Sequence, residues 1–97
     1  LPRAKVIITN GGTGISRRDI TVDAVEKLFE KKITSFNPLF TMLSYNDVGS
    51  SALISRATAG IIGDTAIFCL PGSPKAVELG MTKIIIPELG HIVKHLK

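Results

Sequence analysis

Lys5-Val6-Ile7-Ile8-Thr9-Asn10-Gly11-Gly12-Thr13-Gly14 is the stretch that decides how this chain folds. Residues 5–9 form a short apolar run rich in β-branched side chains, which reads as a buried strand. The glycines follow it directly, and a segment with helical periodicity begins near Thr21. Strand, glycine turn and helix, in that order, is an arrangement α/β proteins use to hold anions. Glycine has no Cβ, so its backbone can take positive φ and bring N–H groups against a phosphate or another oxyanion. The same glycines would serve a tight turn with no ligand, and the motif alone does not separate the two.

Composition narrows the classes. The 97 residues are read as a single domain over 1–97. A hydrophobic share of 44% with four Phe and one Tyr implies an aliphatic core, as in parallel α/β sheets. The net charge is +4, yet the 12 Lys and Arg are scattered. That argues against a nucleic-acid surface and is compatible with a small anionic ligand. Cys69 is the single cysteine, so neither a disulfide framework nor a paired-thiol metal site is expected, and a reduced, cytoplasmic setting fits. No apolar run approaches a membrane span, so no membrane partner is expected.

Beyond the glycine turn, Thr21 reads as the N-cap of a helix with Asp23 and Glu26 in its first turn. Val22, Val25, Leu28 and Phe29 mark its face, and Glu30-Lys31-Lys32 closes it. Asp19 precedes that cap. It either closes the turn by accepting from backbone N–H groups, or holds a metal ion over a phosphate in the loop. Arg17 and Arg18 offer a similar choice between a solvated pair and a phosphate clamp. Residues 35–49 read as a second helix, capped by Ser35 or Asn37, with Pro38 in its first turn. Gly49-Ser50-Ser51 interrupts it, its hydroxyls serving either as a cap or as anion donors. Residues 52–59 are expected to resume as a shorter helix, with Arg56 either on the surface or reaching back to the site.

Gly60-Ile61-Ile62-Gly63-Asp64 reads as a turn before the second clear strand at 65–70. Pro71-Gly72-Ser73-Pro74 then repeats the pattern of a glycine turn opening a helix, with Ser73 as a possible cap. Residues 75–86 tempt a strand reading at Ile84-Ile85-Ile86. Val77, Met81, Ile84 and Ile85 nevertheless follow helical spacing, so a helix ending before Pro87 is expected. Leu89, Ile92, Val93 and Leu96 trace the stripe of a terminal helix. His91 and His95 are four apart but lack a third ligand, and are not read as a metal site. If the two clear strands are parallel neighbours, both glycine turns meet at one sheet edge, with Asp19 facing the cleft. Spacing alone thus points to a small phosphorylated ligand between two βα turns.

Four motifs in order carry a resemblance: Asn10-Gly11-Gly12-Thr13-Gly14, Arg18-Asp19-Ile20-Thr21, Ser55-Arg56-Ala57-Thr58-Ala59-Gly60 and Leu70-Pro71-Gly72-Ser73-Pro74-Lys75-Ala76. Together they resemble the MoaB/MogA-like molybdopterin-binding family of molybdenum cofactor biosynthesis, over nearly the whole chain. The resemblance implies a three-layer α/β/α fold with a mostly parallel sheet, assembled as a homo-trimer or hexamer. It also implies adenylylation of molybdopterin with ATP and magnesium, giving adenylyl-molybdopterin and pyrophosphate. In that reading Gly11, Gly12, Thr13, Gly14 and Arg18, with Pro71, Gly72 and Ser73, embrace the pterin phosphate and its nucleotide partner. Ser50 and Ser51 match a loop lining the pocket, and Asp19 is the catalytic carboxylate, acting through magnesium. Family members carry a further α/β segment ahead of the strand at Lys5, with another acidic residue near the site. The chain is therefore expected to be the C-terminal portion of that fold, or to have the fold completed by another chain. A non-catalytic molybdopterin-binding or assembly module is the alternative, and a generic phosphate-binding domain a third.

Overall fold

The computed structural model describes residues 6–96, so Lys5, expected in the first strand, lies outside the described residues. The first clear strand is β1 (Val6–Asn10), followed through the glycine loop by α1 (Thr21–Glu26), the short β2 (Lys31–Lys32) and α2 (Phe36–Val48). A 3₁₀ segment (Gly49–Ile54) leads to the hairpin β3 (Thr58–Ile62) and β4 (Thr65–Leu70). Then come α3 (Pro74–Gly80), a π-helical turn (Met81–Ile85) and α4 (Ile86–His95). The strands form one sheet in the order β1-β4-β3-β2.

Sequence and structure part company around β3. The helix expected over 52–59 is not there: 52–54 only finish the 3₁₀ segment, and 58–62, read partly as helix and partly as turn, form a central strand. Gly60 hides it, because a glycine in mid-strand reads as a break. Its purpose is steric, since a Cβ there would run into the Phe29 ring lying on the sheet. The expected mostly parallel sheet is corrected too. β1 and β4 are parallel, but β3 pairs antiparallel with both β4 and β2. Only Gly63 and Asp64 separate β3 from β4, and a connection that short can join only antiparallel strands. Likewise Lys31 and Lys32 pair with Ile61 and Gly60 instead of ending a helix.

The α/β class and its layering hold. Phe36 and Phe40 of α2 stack at 5.9 Å, and Phe36 meets Phe68 of β4 edge-on at 5.3 Å. Ala57, Ala59 and Ala66 leave room for these rings, and Leu70, Ile84 and Ile85 complete the buried cluster. Gly80 lets α3 lie close, since a Cβ there would come within 2.9 Å of Leu70. The opposite face of the sheet carries α1, with buried Val22, and the Phe29 ring. Cys69 is fully buried in β4, and burial raises its thiol pKa, as befits an inert core residue.

The helix expected over 75–86 forms, but it does not stop before Pro87. Proline lacks an N–H, and its ring crowds the carbonyl four residues back, here Lys83. The wider π-helical turn falls there, and α4 continues beyond it. Asn37 does not cap α2; its Nδ2 donates to the Ala57 carbonyl at 2.6 Å and so fixes the entry to β3. No helix among the described residues is long and apolar enough to cross a membrane.

Candidate functional site: two glycine turns at one sheet edge

Because β1 and β4 are parallel neighbours, their C-terminal ends lie side by side, with Asn10 opposite Leu70. The Gly11 N–H donates to the Leu70 carbonyl at 2.8 Å, which carries the pairing one step into the loop. A Cβ on Gly72 would sit 3.4 Å from the Gly11 Cα, so the two turns are in direct contact. Gly12 has φ +72°, and a Cβ there would collide with the Thr21 side chain. Thr21 is the first residue of α1 rather than its cap, and its N–H donates to the Gly12 carbonyl at 3.2 Å. The loop backbone, not a side chain, thus satisfies the helix start.

The loop's hydrogen bonding is one-sided. The Gly12 carbonyl accepts from Thr21, the Thr13 carbonyl from the Arg56 N–H at 2.7 Å, and the Gly14 carbonyl from Arg56 Nε at 2.8 Å. No hydrogen bond within the described residues uses the N–H of Gly12 or of Thr13. With its acceptors occupied and donors left over, such a loop favours an anion. The cleft beside it has a volume of about 350 Å³. Its walls are the 12–14 backbone, Asp19, Ser51, Ile54, Ser55, Pro71 and Gly72.

Asp19 faces this cleft and also closes the turn. Its Oδ2 accepts from the Ser16 hydroxyl at 2.7 Å and from the Ser16 N–H at 3.0 Å. The Ser16 hydroxyl, then its N–H, holds the Asp19 carboxyl below its ordinary pKa, so the group is ionised at neutral pH. The two roles read from the sequence are therefore compatible in one side chain. Among the described residues no three His, Cys, Asp or Glu side chains converge on a metal position. Magnesium asks for less, one or two carboxylates together with substrate phosphates and water. Asp19 beside an anion loop fits that donor set.

Other residues fall differently. Ser51 lines the cleft, whereas Ser50 is exposed on the 3₁₀ segment and does not. Ser73 is the N-cap of α3, its Oγ accepting from the Ala76 N–H at 3.2 Å, and it stands outside the cleft lining. Arg17 and Arg18 are exposed on the loop and also stand outside it. The arginine that engages the loop is Arg56, 42 positions from Gly14. The sequence leaves Arg56 either on the surface or reaching back to the site, and its bonds to the loop are those of the second reading. Of the two residues that complete the wall, Ile54 carried no signal and Ser55 appeared only as the head of the motif at 55–60.

A larger hollow lies elsewhere. It is a groove of about 640 Å³ between α4 and the β2–β3 edge, walled by Ile33, Ile61, Ile92 and Leu96. His91 and His95 flank it, but their Nδ1 atoms are engaged along their own helix, by Glu88 Oε1 at 3.1 Å and the His91 carbonyl at 2.8 Å. It lacks the loop donors that mark the glycine cleft.

A layered α/β domain with paired βα glycine turns at one sheet edge is an arrangement suited to holding an anion. The family is recognisable from the sequence: residues 1–91 match the family described as "Probable molybdopterin binding domain", and the chain belongs to it. Molybdenum cofactor biosynthesis protein B of Bacillus cereus is 54% identical over 92 residues, covering 94% of this chain and 54% of its own. A crystal structure of a molybdenum cofactor biosynthesis protein B superposes with a TM-score of 0.92 at 54% identity, covering 95% of this chain and 58% of that one. The tungsten cofactor synthesizing protein MoaB from Pyrococcus furiosus superposes at 0.88 with 46% identity, covering 96% and 59%. The chain thus spans about half the length of the curated relatives it matches.

Proposed function

We propose that the cleft binds molybdopterin by its phosphate, and that the complete protein adenylylates it in molybdenum cofactor biosynthesis. The observation that carries this reading is the pair of uncommitted N–H groups at Gly12 and Thr13, in a chain of the molybdopterin-binding family. In the reaction, a molybdopterin phosphate oxygen bonds to the α-phosphorus of ATP and the bond to pyrophosphate breaks. The loop donors hold the phosphate and orient its oxygen, while Pro71 and Gly72 limit the approach of the nucleotide. Asp19 would hold magnesium, which supplies charge neutralisation at the reacting phosphates when bound. Ser51 and Ser55 offer hydroxyls to the same pocket.

Titrating the intact protein with molybdopterin, then adding ATP and magnesium and following pyrophosphate, tests this. Pyrophosphate release that depends on molybdopterin is the expected result. Tight binding without release would leave a non-catalytic binding module, and absence of binding would overturn the reading.

We also propose that the intact protein is a homo-oligomer, a trimer or hexamer. Leu39, Met42, Tyr45 and Val48 repeat every third residue along α2, each more than 40% exposed, and Leu53 beyond them is 85% exposed. An apolar stripe of this kind is usually covered by another surface. Light scattering should give a mass several times that of the chain; a stable monomer would exclude it.

A further inference from the structure

The carbonyl side of the anion loop converges on one residue. The Arg56 N–H takes the Thr13 carbonyl at 2.7 Å, its Nε the Gly14 carbonyl at 2.8 Å, and an Nη the Asp19 carbonyl at 2.8 Å. The far edge of the guanidinium lies on the Asp23 carboxylate, at 3.0 and 3.2 Å from its two oxygens. One planar group therefore ties both ends of the 14–19 turn to the first turn of α1. Arg56 is not among the residues lining the cleft, so these contacts are made from behind the loop.

We propose that Arg56 is the positioning residue of the anion loop: it holds the Thr13, Gly14 and Asp19 carbonyls from behind, and so fixes the far half of the loop and the Asp19 carboxylate against the Gly12–Thr13 donors. The argument is geometric. A peptide's C=O and N–H point in opposite directions, so fixing the carbonyl of one residue fixes the N–H of the next. Holding the Thr13 carbonyl sets the Gly14 N–H, which hydrogen-bonds the Asp19 carboxylate, and holding the Asp19 carbonyl anchors the end of the turn that carries that carboxylate. A lysine would keep the backbone bond to Thr13, but its single ammonium on a flexible stem cannot reproduce a planar fork spanning the Gly14 and Asp19 carbonyls and the Asp23 carboxylate. Asp23 completes the device by fixing the plane of the fork; each partner stabilises the charged form of the other, lowering the Asp23 pKa and raising that of Arg56. Arg56 acts on the ligand only through the loop. The inference rests on the proposed molybdopterin site for its ligand, but not for its effect on the loop.

The test is Arg56→Lys in the intact protein, read in two ways. Without ligand, NMR order parameters at Gly12, Thr13 and Gly14 should fall from about 0.85 to below about 0.6, with those of β4 unchanged. With molybdopterin, Kd should rise by about tenfold or more, as expected for loss of fixed charge-assisted bonds. A loop that stays rigid, or parental affinity with a disordered loop, overturns the proposal. A variant whose melting temperature falls but whose binding recovers fully on cooling identifies a purely structural role and also overturns it. Should Arg56→Lys fail to fold, Asp23→Asn loosens the fork while leaving its carbonyl contacts in place; it should give the same changes at smaller amplitude, and no change in either readout counts against the proposal. Failure of the parent to bind molybdopterin refutes the proposed function, while the ligand-free measurement still decides the role of Arg56.

Discussion

Replacing Asp19 by Asn is expected to lower turnover of the intact protein by about 10²-fold or more, with its fold and molybdopterin affinity nearly intact. Asn keeps an acceptor oxygen where Oδ2 now receives the Ser16 hydroxyl and N–H, so the turn can close as before. What it removes is the negative charge facing the cleft. Phosphate binding by the Gly12 and Thr13 donors does not need that charge, so affinity should hold or improve slightly. A step in which charge moves between phosphates does need it, if Asp19 acts as proposed. The measurement is pyrophosphate release under saturating molybdopterin, ATP and magnesium, with a thermal melt on the same sample. Unchanged turnover would remove Asp19 from the mechanism and leave it the turn-closing role alone. Lost turnover with a collapsed melt would assign the effect to the turn.

The parts of this site written in contiguous residues were legible from sequence, and the parts made by the fold were not. β1 is a short β-branched run and β4 a short apolar one, each with a glycine turn at its end, so both turns could be placed, and parallel pairing then put them together. Asp19 could be placed for the same reason, five residues beyond Gly14. β3 escaped because its midpoint is Gly60, chosen for a ring that packs from Phe29, far away in sequence. Missing β3 turned a hairpin into a turn and left a mostly parallel sheet as the expectation. Arg56 was ambiguous for a related reason: in a helix over 52–59 its direction is undefined, whereas beside β3 it points behind the loop. Ser50 and Ser51 show the limit from the other side. They are adjacent, yet only Ser51 lines the cleft, and which one does so depends on the 3₁₀ winding of Gly49–Ile54.

Gly12→Ala should abolish most ligand binding, and the glycine content of the chain supplies its own control. Gly12 and Gly63 both hold positive φ, +72° and +60°. An alanine in that region costs roughly 1–2 kcal/mol at either place. At Gly63, in the β3–β4 hairpin, nothing lies within 4 Å of an added Cβ, so strain is the whole effect. At Gly12 the Cβ also meets Thr21, whose N–H is bonded to the Gly12 carbonyl. Neither can move without breaking the junction between loop and α1. The loop must therefore rotate, and its donors turn with it. Gly63→Ala should lower stability by about 1 kcal/mol and leave molybdopterin affinity unchanged. Gly12→Ala should lose about 10²-fold or more in affinity, beyond what its melting temperature explains. Adding Thr21→Ala to Gly12→Ala removes the collision but not the φ strain, so it should recover part of the affinity. If Gly12→Ala binds as tightly as the parent, the loop N–H groups are not the ligand's donors. If Gly63→Ala loses affinity equally, the loss reflects general destabilisation, and the glycine loop has no special claim on the site.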